Sequence, residues 1–179
     1  MKSKPVSKDE LQRNYVQRFL DDLVDTCIAA NGAGIAAPQV GINRQIIIVN
    51  LEKPNSRYPD REGYPTTIAI NPVVKHMSKN LSSDWEGDLS FGLRGLVPRP
   101  ESCEIHFWDR QGRDRKIKLS GFVARVFQHE IDHLHGILLI DRVKHKETIC
   151  EVSEWQKYWG DRKSLPEPIG DPYKFPEEL

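Results

Sequence analysis

The spacing of apolar residues predicts an amphipathic helix near the start of the chain. Ser7 and Glu10 form a capping box, in which each side chain satisfies an otherwise free backbone N–H. Behind this cap an apolar residue recurs at every fourth position, at Leu11, Tyr15, Phe19, Leu23 and Cys27. Such a stripe predicts one helix that continues to about Ala30, where the sequence Asn-Gly-Ala-Gly must end it.

Further along the chain the apolar pattern predicts strands. Residues 45–51 are β-branched and apolar enough to form a buried strand, and residues 66–70 look like its short partner, stopped by the following Asn-Pro pair. Residues 103–108 alternate between apolar and polar side chains, which is typical of a half-buried strand. The segment 109–112 suits a hairpin turn that leads into a returning strand at 116–119.

A second helix is predicted from a cap at Ser120 to about His135-Gly136, where glycine suits a left-handed cap. Residues 143–159 are predicted to form a third helix. The order of helix, strands and helix is typical of an α+β domain in which a mainly antiparallel sheet wraps around the second helix. We expect a single domain over residues 1–164 and an extended, proline-rich tail over residues 165–179.

Composition and charge narrow the class of protein. The 179 residues suffice for one domain, and a hydrophobic fraction of 38% is enough to bury a core. The 26 basic and 26 acidic residues leave no net charge, so neither nucleic acid nor a membrane is expected as a partner. Three scattered cysteines are too few for a disulfide framework. We expect a cytoplasmic protein, because the sequence shows neither an apolar stretch of membrane-spanning length nor a signal-peptide core.

Two histidines one helical turn apart form a candidate metal site. His129 and His133 would point from one face of the second helix, close enough to ligate a single ion. Glu130 could reach a metal-bound water. Metal-dependent hydrolysis needs both parts, because the metal makes water acidic and the carboxylate moves protons. The simpler interpretation is an amphipathic helix that carries two surface histidines.

The two histidines need a third partner, because catalytic zinc usually takes three protein ligands and one water. Glu147 and Glu151 stand too close to the motif to serve as the downstream ligand of a thermolysin-like protease. A protease of that kind is therefore disfavoured, and the third ligand has to be sought upstream.

Three motifs, in the order in which they occur, resemble those of the peptide deformylase family. The loop at 32–39 reads Gly-Ala-Gly-Ile-Ala-Ala-Pro-Gln, the segment at 86–90 reads Glu-Gly-Asp-Leu-Ser, and the His-Glu-x-x-His motif follows at 129–133. The sequence Leu-Val-Pro-Arg at 96–99 adds to the resemblance, which runs from about residue 31 to residue 143. It implies the deformylase fold, with mainly antiparallel sheets around a central metal-binding helix.

The resemblance implies a role for each matching residue. His129 and His133 would be ligands of one divalent ion, Zn²⁺ or Fe²⁺, and Glu130 would be the general acid and base. The side-chain amide of Gln39 and the backbone N–H of Leu89 would stabilise the oxyanion that forms when hydroxide attacks a formyl carbonyl. The residues expected to bind the substrate are Gly32, Ala33, Gly34, Gly87, Arg94, Phe122, Arg125 and Val126.

The glycines of the first motif allow two interpretations. Gly34 would let the backbone approach the substrate and pair with it as an added strand. Gly32 and Gly34 would equally suit a tight turn between a helix and a strand.

One departure from the family concerns the third metal ligand. The family has a cysteine at the position of Asp88. A carboxylate still neutralises one metal charge, but it is a harder ligand than a thiolate and forms shorter bonds, about 2.0–2.2 Å against about 2.3 Å. We expect Asp88 to bind the ion with altered activity, and the competing hypothesis is a degraded site that binds none. Two histidines and a carboxylate also serve in non-haem iron oxygenases, but Glu130 and Gln39 suit hydrolysis.

A second departure concerns the substrate. Arg125 precedes His129 by one helical turn, so its side chain should project beside the metal, at a position that is usually apolar in the family. A guanidinium there suggests a pocket that prefers an acidic or polar substrate side chain to methionine. The alternative is an arginine that extends outward to solvent or pairs with a local acid.

These features together predict a metal-dependent hydrolase that removes an N-formyl group from a peptide or an amino-acid derivative. The alternative is a catalytically weak or inactive homologue that binds N-blocked peptides. Retention of Glu130 and Gln39 favours the enzyme, and Asp88 favours the alternative. Ribosome association, which the family achieves through a basic C-terminal extension, is not predicted, because the tail ends in the acidic sequence Phe-Pro-Glu-Glu-Leu.

Overall fold

The computed structural model describes residues 2–52 and 60–159, in which six consecutive strands lie between an N-terminal and a C-terminal group of helices. In these residues the helices are α1 (Lys8–Leu11), α2 (Asn14–Ala29), α3 (Gly121–Leu134), α4 (Leu139–Arg142) and α5 (Val152–Tyr158). The strands are β1 (Gly34–Ala36), β2 (Ile46–Leu51), β3 (Tyr64–Met77), β4 (Leu81–Gly87), β5 (Leu93–Pro100), β6 (Ser102–Trp108), β7 (Asp114–Ser120) and β8 (Cys150–Glu151). Short 3-10 turns lie at Ala37–Val40 and Lys146–Thr148. The predicted tail at 165–179 lies outside the described residues.

Two antiparallel sheets enclose one helix. Five strands are ordered β1-β2-β3-β6-β7, three more are ordered β4-β5-β8, and every pairing is antiparallel. The helix α3 contacts both sheets, and every residue from Val123 to Leu134 is buried. The predicted α+β architecture is confirmed. No helix in the described ranges is long and apolar enough to cross a membrane.

The N-terminal helix is broken, so the prediction of one continuous helix was wrong. Ser7 does cap its start, because its Oγ accepts the N–H of Glu10 at 3.1 Å. The helix then ends at Leu11 and restarts at Asn14, and in the first turns of α2 the buried positions are Val16 and Leu20 in place of Tyr15 and Phe19. Tyr15 is consequently 60% exposed, and the buried stripe of α2 consists of Val16, Leu20, Leu23 and Cys27.

The strand β3 continues through the Asn-Pro pair that was predicted to stop it. Asn71 adopts a left-handed conformation with φ of 51°, and the pairing of β3 with β6 shifts register between Ile70 and Val73. The Asn71 side chain accepts the backbone N–H of Val6 and donates to its carbonyl, both at 2.8 Å. The pair therefore makes a β-bulge, which is stabilised by a link to the N-terminal segment.

We expect the substitution Asn71→Ala to lower the free energy of unfolding by about 2 kcal/mol. It removes two hydrogen bonds worth about 1 kcal/mol each. It also leaves alanine at a positive φ, which is unfavourable for a residue whose side chain makes no compensating contact. Urea unfolding measures the change. Asn80→Ala, at an exposed position in the connection between β3 and β4, is the control and should change stability by less than about 0.5 kcal/mol.

The hairpin of β4 and β5 was missed by the apolar pattern, because its strands carry many polar residues and prolines. It runs in unbroken register from the pair Leu81 and Pro100 to the pair Gly87 and Arg94. By contrast, the predicted hairpin of β6 and β7 is confirmed, and so is the predicted second helix. That helix ends as expected, with His135 as its C-cap and Gly136 at φ of 73°.

The predicted third helix over residues 143–159 was wrong. The chain there forms a 3-10 turn, the short strand β8 and then α5. Tertiary contacts hold this irregular path in place. Val143 packs with Val97 of β5, and the hydroxyl of Thr148 accepts the backbone N–H of Leu96 at 3.2 Å. The end of the domain thus packs against the hairpin that leads into the candidate site.

Candidate active site

Three candidate metal ligands meet where the β4–β5 hairpin packs against α3. The Nε2 atoms of His129 and His133 lie 3.2 Å apart, and the Asp88 Oδ2 lies 3.3 Å from the His133 Nε2 and 3.9 Å from the His129 Nε2. Three donors around a tetrahedral ion with bonds of about 2.1 Å would lie about 3.4 Å apart. The three predicted ligand residues therefore converge at separations that fit one divalent cation.

The hydrogen bonds of the Asp88 carboxylate involve one of its oxygens and leave the other for a metal ion. Its Oδ1 accepts the backbone N–H of Ser90 at 2.8 Å and the Gln39 amide at 2.9 Å. Its Oδ2 is buried and accepts no hydrogen bond within the described structure. Burial opposes ionisation of Asp88, but His133 and the Ser90 N–H outweigh it and lower its pKa to about 2. The anionic Oδ2 thus accepts no hydrogen bond and faces the Nε2 atoms of His133 and His129, where a shared cation would neutralise it.

His129 is oriented by Glu86. The His129 Nδ1 lies 3.0 Å from Glu86 Oε2, so that the ring donates there and its Nε2 lone pair faces Asp88. The His133 ring stands edge-on to the His129 ring, with an interplanar angle of 83°. A carboxylate behind a ligating imidazole fixes the tautomer that metal binding requires.

Glu86 itself is the centre of a buried ion network. Arg99 donates to both of its oxygens, with Nε 2.6 Å from Oε1 and Nη2 2.9 Å from Oε2. Arg125 adds a third bond, from Nη1 to Oε1 at 2.7 Å. Burial would raise the pKa of Glu86, but hydrogen bonds from His129 and Arg99 hold it well below its usual range. Glu86 is therefore ionised, and its side chain is only 5% exposed.

Arg125 reaches protein partners with both terminal nitrogens. Besides Glu86, its Nη1 donates to the carbonyl of Val97 at 2.7 Å, and its Nη2 donates to the carbonyl of Ser82 at 2.8 Å. The guanidinium is buried and its charge is paired within the chain. Of the two interpretations of this residue, the structure has the one in which it pairs with a local acid.

Glu130 lies next to the three ligands and is buried. Its pKa is raised to about 7, because burial disfavours the charged form more strongly than His129 and His133 favour it. Its Oε2 accepts no hydrogen bond among the described residues. A carboxyl group with a pKa near neutral is suited to accepting a proton and returning it.

The Glu130 side chain lies so close to residue 34 that only glycine fits there. A β-carbon at Gly34 would lie 2.6 Å from Glu130 Oε1, closer than side chains tolerate. At Gly32 a β-carbon would lie 2.9 Å from the Leu89 side chain and 3.2 Å from the Cys27 sulfur. Both glycines therefore serve close packing around the site, which is a tighter constraint than the turn that their sequence also suits.

A family model of polypeptide deformylases matches residues 1–148. The chain belongs to the peptide deformylase family. A relative described as peptide deformylase 2 from Nostoc sp. is 44% identical over 143 residues, which are 79% of either chain.

Solved deformylase structures share the fold. A class I type b peptide deformylase from Acinetobacter baumannii, with Met-Ala-Ser bound, has a TM-score of 0.75 at 39% identity and covers 79% of this chain and 89% of its own. A deformylase from Synechococcus elongatus in complex with actinonin has a TM-score of 0.73 at 34% identity, covering 89% and 81%. The chain is accordingly a hydrolase of the deformylase type, from a family of metalloenzymes.

A cavity of about 460 Å³, including space open to solvent, borders the ligands of this deformylase. It is lined by Ala33, Gly34, Gln39, Trp85, Glu86, Gly87, Asp88, Leu89, Phe122, Arg125, Val126, His129 and Glu130. The structure thus brings most of the predicted substrate residues to one cavity. His133 is not among the residues that line it, although its Nε2 lies 3.3 Å from Asp88 Oδ2.

Two predicted substrate residues lie elsewhere. Gly32 packs behind Leu89, as its contacts require. The guanidinium of Arg94 lies 4.0 Å from the ring centre of Trp155 in α5, where a cation–π contact holds it. Arg94 therefore ties α5 to β5 and does not reach the cavity.

Sequence reasoning missed Trp85 and the role of Glu86. Glu86 was part of a deformylase motif, and a carboxylate two residues before a ligand could have been tested as a partner of a ligating histidine. Trp85 carries no signal of its own in the sequence. It is half-buried near the end of β4 and lines the cavity next to Glu86.

We expect the substitution Glu86→Gln to lower the free energy of unfolding by about 3–5 kcal/mol. It leaves the buried guanidinium of Arg125 without its anion and removes one of the two anions of Arg99, which keeps Asp132. Denaturant unfolding of the protein measures the loss.

The matched control is Glu10→Gln, which breaks the exposed ion pair between Glu10 and Arg44 and should cost less than about 1 kcal/mol. Equal losses for the two variants would show that burial does not strengthen the network.

Proposed function

We propose that this chain is a metal-dependent deformylase that removes the formyl group from the N-terminus of a peptide or an amino-acid derivative. The observation that carries the proposal is the unpartnered Oδ2 of Asp88, which faces two imidazole nitrogens beside Glu130. Asp88, His129 and His133 would hold the ion, Zn²⁺ or Fe²⁺. A divalent ion at that position would polarise a carbonyl and make a water acidic at neutral pH.

The chain's own residues move the protons. Glu130 takes a proton from the attacking water, whose oxygen adds to the formyl carbon. The bond between carbon and nitrogen then breaks, and Glu130 returns the proton to the leaving amine, so that formate and a free amine are the products. The backbone N–H of Leu89 is the proposed donor to the oxyanion. Ala33, Gly34 and Gly87 are the backbone positions proposed to run beside the substrate peptide.

The substitution Glu130→Gln should lower kcat by at least about 100-fold with zinc content unchanged. The amide keeps the shape of the carboxyl group but cannot carry the proton, and it is not one of the three ligands. Formate release from a formyl-Met peptide gives kcat, and elemental analysis gives the zinc bound per chain.

The same measurements on the wild-type protein distinguish this proposal from the second candidate function, an inactive homologue that binds N-blocked peptides. The wild-type protein should carry one ion per chain after reconstitution and turn over the peptide. A wild-type chain that binds the ion and the peptide without turnover would establish the inactive homologue. A chain that binds no ion would overturn the metal site itself.

The paired state of Arg125 bears on substrate choice. Because both terminal nitrogens already contact Glu86, Val97 and Ser82, the guanidinium has little left to offer to a substrate carboxylate. We propose that the pocket prefers an uncharged side chain, with the polar one of glutamine accepted beside methionine. The sequence-based hypothesis named an acidic or polar substrate side chain. We keep the polar side chain in this proposal and abandon the acidic one.

Peptides that begin with formyl-Met, formyl-Gln and formyl-Glu should separate these possibilities. We expect kcat/KM for formyl-Glu to be at least about 10-fold below the other two, because a carboxylate would enter beside the ionised Glu86. The competing result is a preference for formyl-Glu. That result would require Arg125 to leave Glu86 when substrate binds.

A further inference from the structure

Gln39 is held in one orientation by the backbone. Its Oε1 accepts the N–H of Ala36 at 2.8 Å, so the oxygen of the amide faces that donor and the nitrogen faces the opposite way. The residue belongs to the 3-10 turn that follows β1, with Gly41 at φ of 81° as its cap. The amide nitrogen is therefore aimed at the loop that carries Asp88.

Both hydrogens of that nitrogen are used within the chain. Nε2 donates to Asp88 Oδ1 at 2.9 Å and to the hydroxyl of Ser90 at 3.0 Å. An amide nitrogen carries two hydrogens, so these contacts exhaust it. A donor that is already engaged on both sides has none free for an oxyanion.

The hydrogen bond from Gln39 makes the two carboxylate oxygens of Asp88 different from each other. Oδ1 accepts the Gln39 amide and the Ser90 N–H, while Oδ2 alone faces the Nε2 atoms of His129 and His133. A carboxylate can bind an ion through one oxygen or through both. The two hydrogen bonds to Oδ1 hold Asp88 in the arrangement in which Oδ2 alone would bind the ion.

We propose that Gln39 acts in this chain as a positioning residue for the metal ligand Asp88, in place of the oxyanion donor that its family resemblance implies. The inference rests on the metal site of the proposed function. Its physical basis is the change of ligand, because a carboxylate is a strong acceptor of an amide N–H whereas sulfur is a weak one. The aspartate therefore takes up the Gln39 amide, and the two residues act as one unit.

A double-mutant cycle on metal affinity tests the proposal without using turnover. Gln39→Met keeps the side-chain volume but removes the three hydrogen bonds of the side chain, to Asp88, Ser90 and the Ala36 N–H, and Asp88→Cys replaces the carboxylate by a thiolate. We expect Gln39→Met to weaken zinc binding about 10–100-fold in the Asp88 protein and less than about threefold in the Asp88→Cys protein. Competition with a chromophoric chelator gives the dissociation constants.

Two control variants separate this effect from a general loss of packing. Gln45→Met removes an amide of the same kind, which donates to the Ser3 carbonyl away from the site, and should leave zinc affinity unchanged. Ser90→Ala removes the hydroxyl but keeps the backbone N–H and the Gln39 contact with Asp88, and should change it less than about threefold. Thermal unfolding of each metal-free variant verifies that it is folded.

The kinetic readout distinguishes positioning from catalysis. At saturating zinc, Gln39→Met should retain kcat within about fivefold, whereas loss of an oxyanion donor costs about 100–1,000-fold. Equal losses of zinc affinity in the Asp88 and Asp88→Cys proteins, or a large loss of kcat at saturating zinc, would overturn the inference. A wild-type chain that binds no zinc would instead overturn the proposed function, so the two failures can be told apart.

Discussion

The structure depends on the burial of α3 on every side. From Val123 to Leu134 this helix faces two sheets at once, yet half of those residues are polar: Arg125, Gln128, His129, Glu130, Asp132 and His133. A buried polar group is costly unless it is paired, and a buried charge more so. The arrangement of the surrounding strands follows from the need to supply those partners.

The β4–β5 hairpin supplies most of them. Glu86 of β4 accepts from His129 and Arg125 of the helix, and Arg99 of β5 joins Glu86 to Asp132. The hairpin and the helix are thus connected by alternating charges, which fix one relative position. The same contacts position the third ligand, because Asp88 follows Glu86 by two residues and its backbone continues directly from β4.

Two acceptors stand apart from this pattern. Asp88 Oδ2 and Glu130 Oε2 are buried without hydrogen-bond partners in the described chain, and both border the cavity or the ligand cluster. The charges of Glu86, Arg99, Arg125 and Asp132 beside them are paired, so the exceptions are local. Functional sites are where such a cost is tolerated, because the groups left unpaired are the ones that bind and react.

Sequence alone determined the family, the antiparallel α+β architecture, the second helix with its cap at Gly136, and the residues of the ligand cluster. Those features depend on local patterns, since the His-Glu-x-x-His spacing follows from the helical repeat and the motifs keep their order. It could not determine what depends on side chains from distant segments. The bulge at Asn71, the pairing of Arg125 with Glu86 and the hydrogen bond of Gln39 to Asp88 are settled by partners between 39 and 65 residues away. A guanidinium or an amide has the same donors in any environment, and only the tertiary structure decides which acceptors occupy them.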